Sequence, residues 1–338
     1  MKNRFGAALA AVLGYALVST SGAWADTAVK IGSSVRAVFS LPLYVADQKG
    51  YFKDEGLDAE VVFFNGGPQA TAALLGGSVQ IISSAFENAM KVVQQGQPLV
   101  NVMAMQADFS GALVVRKDLA EKLGRRPRID DLRGLRIGTL VRGGFADIAA
   151  RYLLLDAKID PDKDTTLIPI RGFDKHIAAG KAGHIDASLM VEPWQTIAVH
   201  ETGDWEYMYN ITIGEGPDIF HGLGYVTLQT SREYLTEHRN VVEKVVRALV
   251  RAQSLIAKEE NLEASTDIAA KVFPNVKRET LRISVKNQLR TFRPALTQEM
   301  IDKTVELLSI NGDTGIAPPA YEQLMDRSFA GLWGEYRP

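Results

Sequence analysis

From Val29 onward, short apolar runs alternate with amphipathic stretches at a regular pace, and this alternation restricts the fold more than any other feature of the chain. Val29 to Ser34 reads as a strand, followed by a helix through Leu41 to Lys49. Glu60 to Phe64 is rich in β-branched and aromatic residues and reads as the next strand, with a helix through Pro68 to Leu75. Val79 to Ser83, a helix through Phe86 to Gln95, and Leu99 to Met105 extend the series. An order of βαβαβαβ predicts a mostly parallel sheet with right-handed crossovers.

A second series follows the polar, basic stretch from Arg116 to Arg133. Leu135 to Leu140, Thr165 to Ile170 and Ala187 to Val191 read as strands. After Arg142-Gly143-Gly144 a helix runs to about Ala157, with Phe145, Ile148, Ala149, Tyr152 and Leu155 on one face at the helical period. Asp147 and Arg151 are spaced for an i,i+4 pair in its first turns. Gly222 to Leu228 reads as one more strand, and the chain after Ser231 as helical. Long helices are predicted through Val241 to Lys258, Glu279 to Leu289 and Gln298 to Ser309, the last capped by Thr297. The two series share a plan and not a sequence, so they are not a solenoid repeat.

Beyond its first 25 residues the chain has about 310, more than one core usually serves, so two lobes are expected. The order of elements requires two crossings, placed near Asp108 to Leu113 and Phe220 to Gly224. That puts residues 26–110 and 224–338 in lobe 1 with the helical C-terminal part, and residues 111–223 in lobe 2.

Residues 1–25 read as a signal peptide. Lys2 and Arg4 precede the apolar run Phe5 to Val18, and Ala23-Trp24-Ala25 suits cleavage after Ala25. The uninterrupted apolar core falls short of the ~20 residues that span a bilayer. Export to the periplasm is therefore expected. Loss of Lys2 and Arg4 would make the weakly acidic net charge of −2 more negative, which argues against a nucleic acid partner. With no cysteine, disulfides, thiolate metal sites and cysteine nucleophiles are excluded. The five histidines are scattered without metal-ligand spacing. No Gly-x-Ser-x-Gly elbow, His-Glu-x-x-His or phosphate loop occurs. No metal and no cofactor is expected.

Ligands of open parallel sheets bind outside the carboxyl ends of the strands. Five such corners hold the candidates: Arg36, Phe39 and Ser40; Asn65, Gly66 and Gly67; Ser84, Phe86, Glu87 and Asn88; Arg142, Gly143, Gly144 and Phe145; Glu192 and Trp194. Glycines at a helix start can offer backbone N–H groups to an anion, although glycine is also the default of any tight turn. Arg36 and Arg142 could fork onto an oxyanion or lie solvated on loops. Phe39, Phe86, Phe145 and Trp194 could be aromatic walls or core. Glu87 and Glu192 favour a ligand with N–H donors, or neutralise arginines and helix ends. His221, at the second crossing, could touch ligand or cap a turn. On the anion reading, Arg142→Ala should weaken binding by about 2 kcal/mol.

Particular words in the chain resemble the solute-binding proteins of ABC importers for nitrate, taurine, alkanesulfonates and thiamine-precursor pyrimidines. The landmarks are Lys49-Gly50-Tyr51-Phe52-Lys53-Asp54-Glu55-Gly56-Leu57, Gly66-Gly67-Pro68, Asp131-Leu132-Arg133-Gly134-Leu135-Arg136-Ile137-Gly138 and Val191-Glu192-Pro193-Trp194. The resemblance implies an α/β, two-lobed periplasmic binding protein fold of type II, whose cleft closes by hinge motion. It implies a monomer that captures a small solute and delivers it to an inner-membrane permease with a separate ATPase chain. The solute expected is a small organic anion of the sulfonate, taurine or nitrate class; the alternative is a thiamine-precursor pyrimidine or other nitrogenous solute. A sensor module and a secreted enzyme using Glu87 or Glu192 as general base are further readings. One eukaryotic branch of the superfamily consists of pyrimidine synthases with a cysteine-rich motif, from which this cysteine-free chain departs. The Lys49 to Leu57 signature sits far from the strand ends that face the cleft and is expected to be scaffold.

Overall fold

A computed structural model describes residues 26–310 and 319–338 of the chain. The predicted signal peptide lies outside the described residues. The strands β1 (Thr27–Ser33), β2 (Leu57–Phe63), β3 (Ile81–Ala85) and β4 (Leu99–Gln106) belong to the first sheet. The chain then crosses to a second sheet and forms β5 (Gly111–Arg116), β6 (Arg136–Thr139), β7 (Thr166–Pro169), β8 (Ala187–Val191) and β9 (Trp205–Asn210). It returns to the first sheet as β10 (Val226–Ser231). The sheet orders are β2-β1-β3-β10-β4 and β7-β6-β8-β5-β9.

Each sheet contains one antiparallel strand, and the crossings explain both. β10 runs antiparallel to β3 and β4, and β5 antiparallel to β8 and β9. The other strands direct their carboxyl ends at the cleft between the lobes. A strand that arrives through a short crossing enters its sheet at the cleft edge and must run away from it. The sequence pattern does not mark β5 and β9 as separate strands. β5 follows the crossing after only four residues, so its first three residues were read as part of that crossing. The second crossing is longer, from Ile211 to Tyr225, and contains two short 3-10 turns at Ile211–Ile213 and Asp218–Phe220.

The two crossings are tied to each other. Phe109 N–H donates to Phe220 O at 2.9 Å and Gly224 N–H to Ala107 O at 2.8 Å. Gly222 N–H donates to Asp108 Oδ1 at 2.7 Å, and Arg293 reaches the same oxygen at 2.8 Å. Gly224 has φ +67, and a Cβ there would stand 2.7 Å from Met300 Sδ, so this turn admits glycine alone.

The Lys49 to Leu57 signature packs against the long helix Arg239–Ile256. Gly50 takes φ 75 and ends the helix Leu41–Gln48. Arg251 lies 3.8 Å above the ring of Tyr51 and pairs with Asp54 at 2.6 Å, while Arg247 pairs with Glu55 at 3.1 Å. Each of these half-exposed pairs contributes ~0.2–1 kcal/mol, and the ring beneath Arg251 adds apolar burial. None of these residues lines the interlobe cavity. Among the described residues no helix is long and apolar enough to cross a membrane.

Candidate functional site

A cavity of about 500 Å³, its open mouth included, lies between the lobes at the carboxyl ends of the parallel strands. From the first lobe come Ser34, Val35 and Phe39 after β1, Gly66, Gly67 and Pro68 after β2, and Ala85 at the end of β3 with Glu87 and Asn88 after it. The second lobe supplies Leu140, Val141, Gly144, Phe145 and Ala146 after β6, and Phe173 after β7. Tyr225 and Val226, where the chain re-enters the first sheet, complete the wall. The lobes touch across the cleft: Lys91 Nζ donates to Gly143 O at 3.2 Å, and Val38 N–H to Glu192 O at 3.0 Å. Gly66 has φ 133, and a Cβ on it would lie 3.3 Å from Val141 of the facing lobe.

An aromatic cluster backs the cavity. Tyr225 packs on Phe145 with centroids 4.6 Å apart and edge-on to Phe39 at 5.7 Å. Phe109, in the first crossing, supports both Tyr225 and Phe145 from behind at 4.8 Å and touches Phe220 at 5.5 Å. The crossings and the cavity wall are thus one packed unit.

Glu87 is the main charge-bearing group of this wall. It stands in the first turn of the helix Phe86–Gln94 and is 1% exposed. Asn88 Nδ2 donates to its Oε1 at 2.8 Å, while Oε2 is buried without a hydrogen-bond partner among the described residues. Burial pushes its carboxyl up to about 7; the charge of Lys91 and the backbone N–H groups of Glu87 and Asn88 oppose that rise. Burial likewise raises the Tyr225 hydroxyl, and the charge of Glu87 adds to it. Among the described residues no lysine, arginine or histidine lines the cavity.

Of the residues predicted from sequence, the structure brings Phe39, Gly66, Gly67, Glu87, Asn88, Gly144 and Phe145 together on this wall. Ser84 lies just beneath: its Oγ would be 3.2 Å from a Cβ on Gly67 and has no hydrogen-bond partner among the described residues. Ser40 is buried and bonded to Ser33 at 2.7 Å, and Phe86 is core, its N–H donating to Tyr225 O at 3.0 Å. Asn65 is exposed, its N–H on Gln69 Oε1.

Neither arginine is in the wall. Arg36 is exposed and stacks 4.6 Å from the ring of Phe63. Arg142 is exposed and opens onto a separate polar pocket with Asp147, Arg151 and Asp162. The glycine N–H groups offered to an anion are largely taken within the protein. Gly143 N–H goes to Asp147 Oδ2 at 3.0 Å, Gly144 N–H to Val141 O at 3.0 Å, and Gly66 N–H to Ser34 O at 2.8 Å. Arg142→Ala is therefore expected to change solute affinity by less than ~0.5 kcal/mol by isothermal titration, as for a surface change. A tenfold loss would return Arg142 to the site.

Glu192, Trp194 and His221 also stand apart from the cavity wall. Glu192 is buried in a polar knot, accepting from Gln195 at 3.0 Å, Thr196 at 2.7 Å and Asn287 at 3.1 Å. Burial raises its carboxyl against those donors. Trp194 meets Phe273 edge-on, and the backbone oxygen of His221 accepts from Lys303 at 2.6 Å. Val35, Leu140 and Val141 belong to the strand-end corners read from the sequence but are not among its candidates, and Phe173 and Tyr225 lie outside those corners. Tyr225 carried a usable signal, an aromatic residue directly after the Gly222-Leu223-Gly224 turn of a crossing. Among the described residues no group of three His, Cys, Asp or Glu could hold a metal ion.

Known proteins share this architecture. The alkanesulfonate-binding protein SsuA from Xanthomonas axonopodis pv. citri, bound to MOPS, superposes with a TM-score of 0.71 at 20% identity, covering 89% of this chain and 99% of that one. The periplasmic nitrate-binding protein NrtA from Synechocystis superposes at 0.68 with 16% identity, covering 92% and 88%. The fold is thus that of a two-lobed periplasmic binding protein. In sequence, a Bacillus subtilis protein described as a binding protein, YtlA, is 27% identical over 312 residues, 90% of this chain and 89% of that one. The 4-amino-5-hydroxymethyl-2-methylpyrimidine phosphate synthase THI12 of Saccharomyces cerevisiae is 25% identical over 164 residues, 48% of this chain and 45% of its own length. The sequence profile of the NMT1-like family matches residues 22–270, and the chain belongs to that family.

Proposed function

We propose that the chain is the solute-binding component of an ABC importer, which captures a small solute between its lobes and presents the closed form to a membrane permease. A separate chain would supply the ATPase, and the predicted leader would send the protein to the periplasm to act as a monomer. The similarity to binding proteins for imported solutes supports the role. The observation that carries it is the interlobe cavity, with an aromatic back wall and one buried carboxyl that keeps an oxygen unpartnered.

That carboxyl also bears on the solute. An anion entering this wall would meet Glu87 and no cation, whereas a flat ring bearing N–H donors would satisfy Oε2 and pack on Phe39, Phe145 and Tyr225. The lining therefore favours the nitrogenous solute over the sulfonate or nitrate class. Thermal melts with 4-amino-5-hydroxymethyl-2-methylpyrimidine, taurine and nitrate test this choice. A solute at 100 times its Kd should stabilise the protein by ~2.7 kcal/mol. Stabilisation by taurine or nitrate alone would sink the nitrogenous reading and keep the carrier. A carboxyl near neutrality also suits a general base. Catalytic turnover of the bound solute would replace the carrier by an enzyme.

A further inference from the structure

We infer that Asn88 is a positioning residue for the Glu87 carboxyl, and that glycine is required at position 67 to leave room for it. The inference rests on the reading that Glu87 receives the solute. Asn88 Nδ2 holds Oε1 at 2.8 Å, which leaves Oε2 buried and without a hydrogen-bond partner among the described residues. A glutamate side chain has three rotatable bonds, and a second anchor on one oxygen removes the rotation that would exchange the two. The amide is itself boxed in. A Cβ on Gly67 would fall 2.3 Å from Asn88 Nδ2, 3.0 Å from its Cγ and 3.2 Å from Ser84 Oγ. Gly67 does not have a positive φ, so its backbone admits alanine and the cost of that substitution is this contact. The amide is the movable partner, and displacing it breaks the bond to Glu87. Gly67→Ala should therefore act like Asn88→Ala while leaving Asn88 in the chain.

The test is a double-mutant cycle read by titration calorimetry with 4-amino-5-hydroxymethyl-2-methylpyrimidine, using millimolar solute for weak variants. Glu87→Gln should weaken binding about 10- to 100-fold, as loss of a charge-assisted bond does. Asn88→Ala and Gly67→Ala should each cost about tenfold in the parent and less than twofold in the Glu87→Gln background. Equal losses in both backgrounds would mean that Asn88 touches the solute itself, and would overturn the positioning role. No effect of Glu87→Gln would instead overturn the reading on which the inference rests.

A readout without solute covers the case in which the probe does not bind. Followed by carbon NMR, the Glu87 carboxyl should titrate higher in Asn88→Ala and in Gly67→Ala than in the parent, because a donor to its ionised form is lost. The other titratable groups acting on this carboxyl, Lys91 on its own helix and Tyr225 from the crossing, are unchanged in these variants. An unmoved titration in both variants would overturn the inference.

Discussion

Above pH 7, the solute-free Glu87→Gln protein should be more stable than its parent by about 3 kcal/mol, with the gap closing as the pH falls to 4.5. The carboxyl titrates near 4.5 when exposed and near 7 when folded, because burial penalises its charge. Below 4.5 it is neutral in both states and burying it costs little. Between 4.5 and 7 the folded protein holds a proton that the unfolded chain has released, so stability declines as the pH rises. At ~1.36 kcal/mol per pH unit, that interval integrates to about 3 kcal/mol. Glutamine has no such slope. Urea melts of both proteins from pH 4.5 to 8.5 would measure it, and a difference independent of pH would sink the claim. This destabilisation is what a binding site can recover. A solute that donates to Oε2 stabilises the ionised form, so its affinity should rise with pH through 7.

Phe109→Ala carries the second large effect, a loss of about 3–5 kcal/mol. Phe109 is 1% exposed and touches Phe145, Phe220 and Tyr225. Removing its ring leaves a void at the joint of the two crossings, where the backbone hydrogen bonds between them fix the backbone and limit collapse. Two of the neighbours, Phe145 and Tyr225, are cavity wall, so solute affinity should fall together with stability. Urea unfolding would give the first quantity and titration the second. A cost below ~1 kcal/mol would show that the hinge repacks freely and is not a single aromatic unit.

Much of this architecture was legible along the chain. The αβ alternation located most strands, because a buried parallel strand must be apolar and its helix amphipathic over stretches of fixed length. Lys49 to Leu57 could be assigned away from the cleft because a helix C-terminus lies opposite the carboxyl end of the strand before it, and the ion pairs of Asp54 and Glu55 with Arg251 and Arg247 lie on that far side. The antiparallel strands were harder to see. β5 and β9 are short, and their direction follows from where the chain crosses rather than from their composition.

The site divides along the same line. Glycines and aromatics at strand ends could be found because backbone geometry puts those corners at the cleft. The arginines could not be placed, since a long side chain on a corner loop turns either inward or outward. Arg142 faces the polar pocket of Asp147, Arg151 and Asp162, and Arg36 lies on Phe63. The order of elements, the two lobes and the corners from which a cleft is built can be read along the chain, because they depend on hydrophobic period and turn chemistry over a few neighbouring residues. That Glu87 borders the cavity without a cation among the described residues, and that Tyr225 closes it, follows from the packing of the folded chain. The opposing wall lies more than fifty positions along the chain from Glu87 and the second crossing more than a hundred, and their meeting depends on how the two sheets pack.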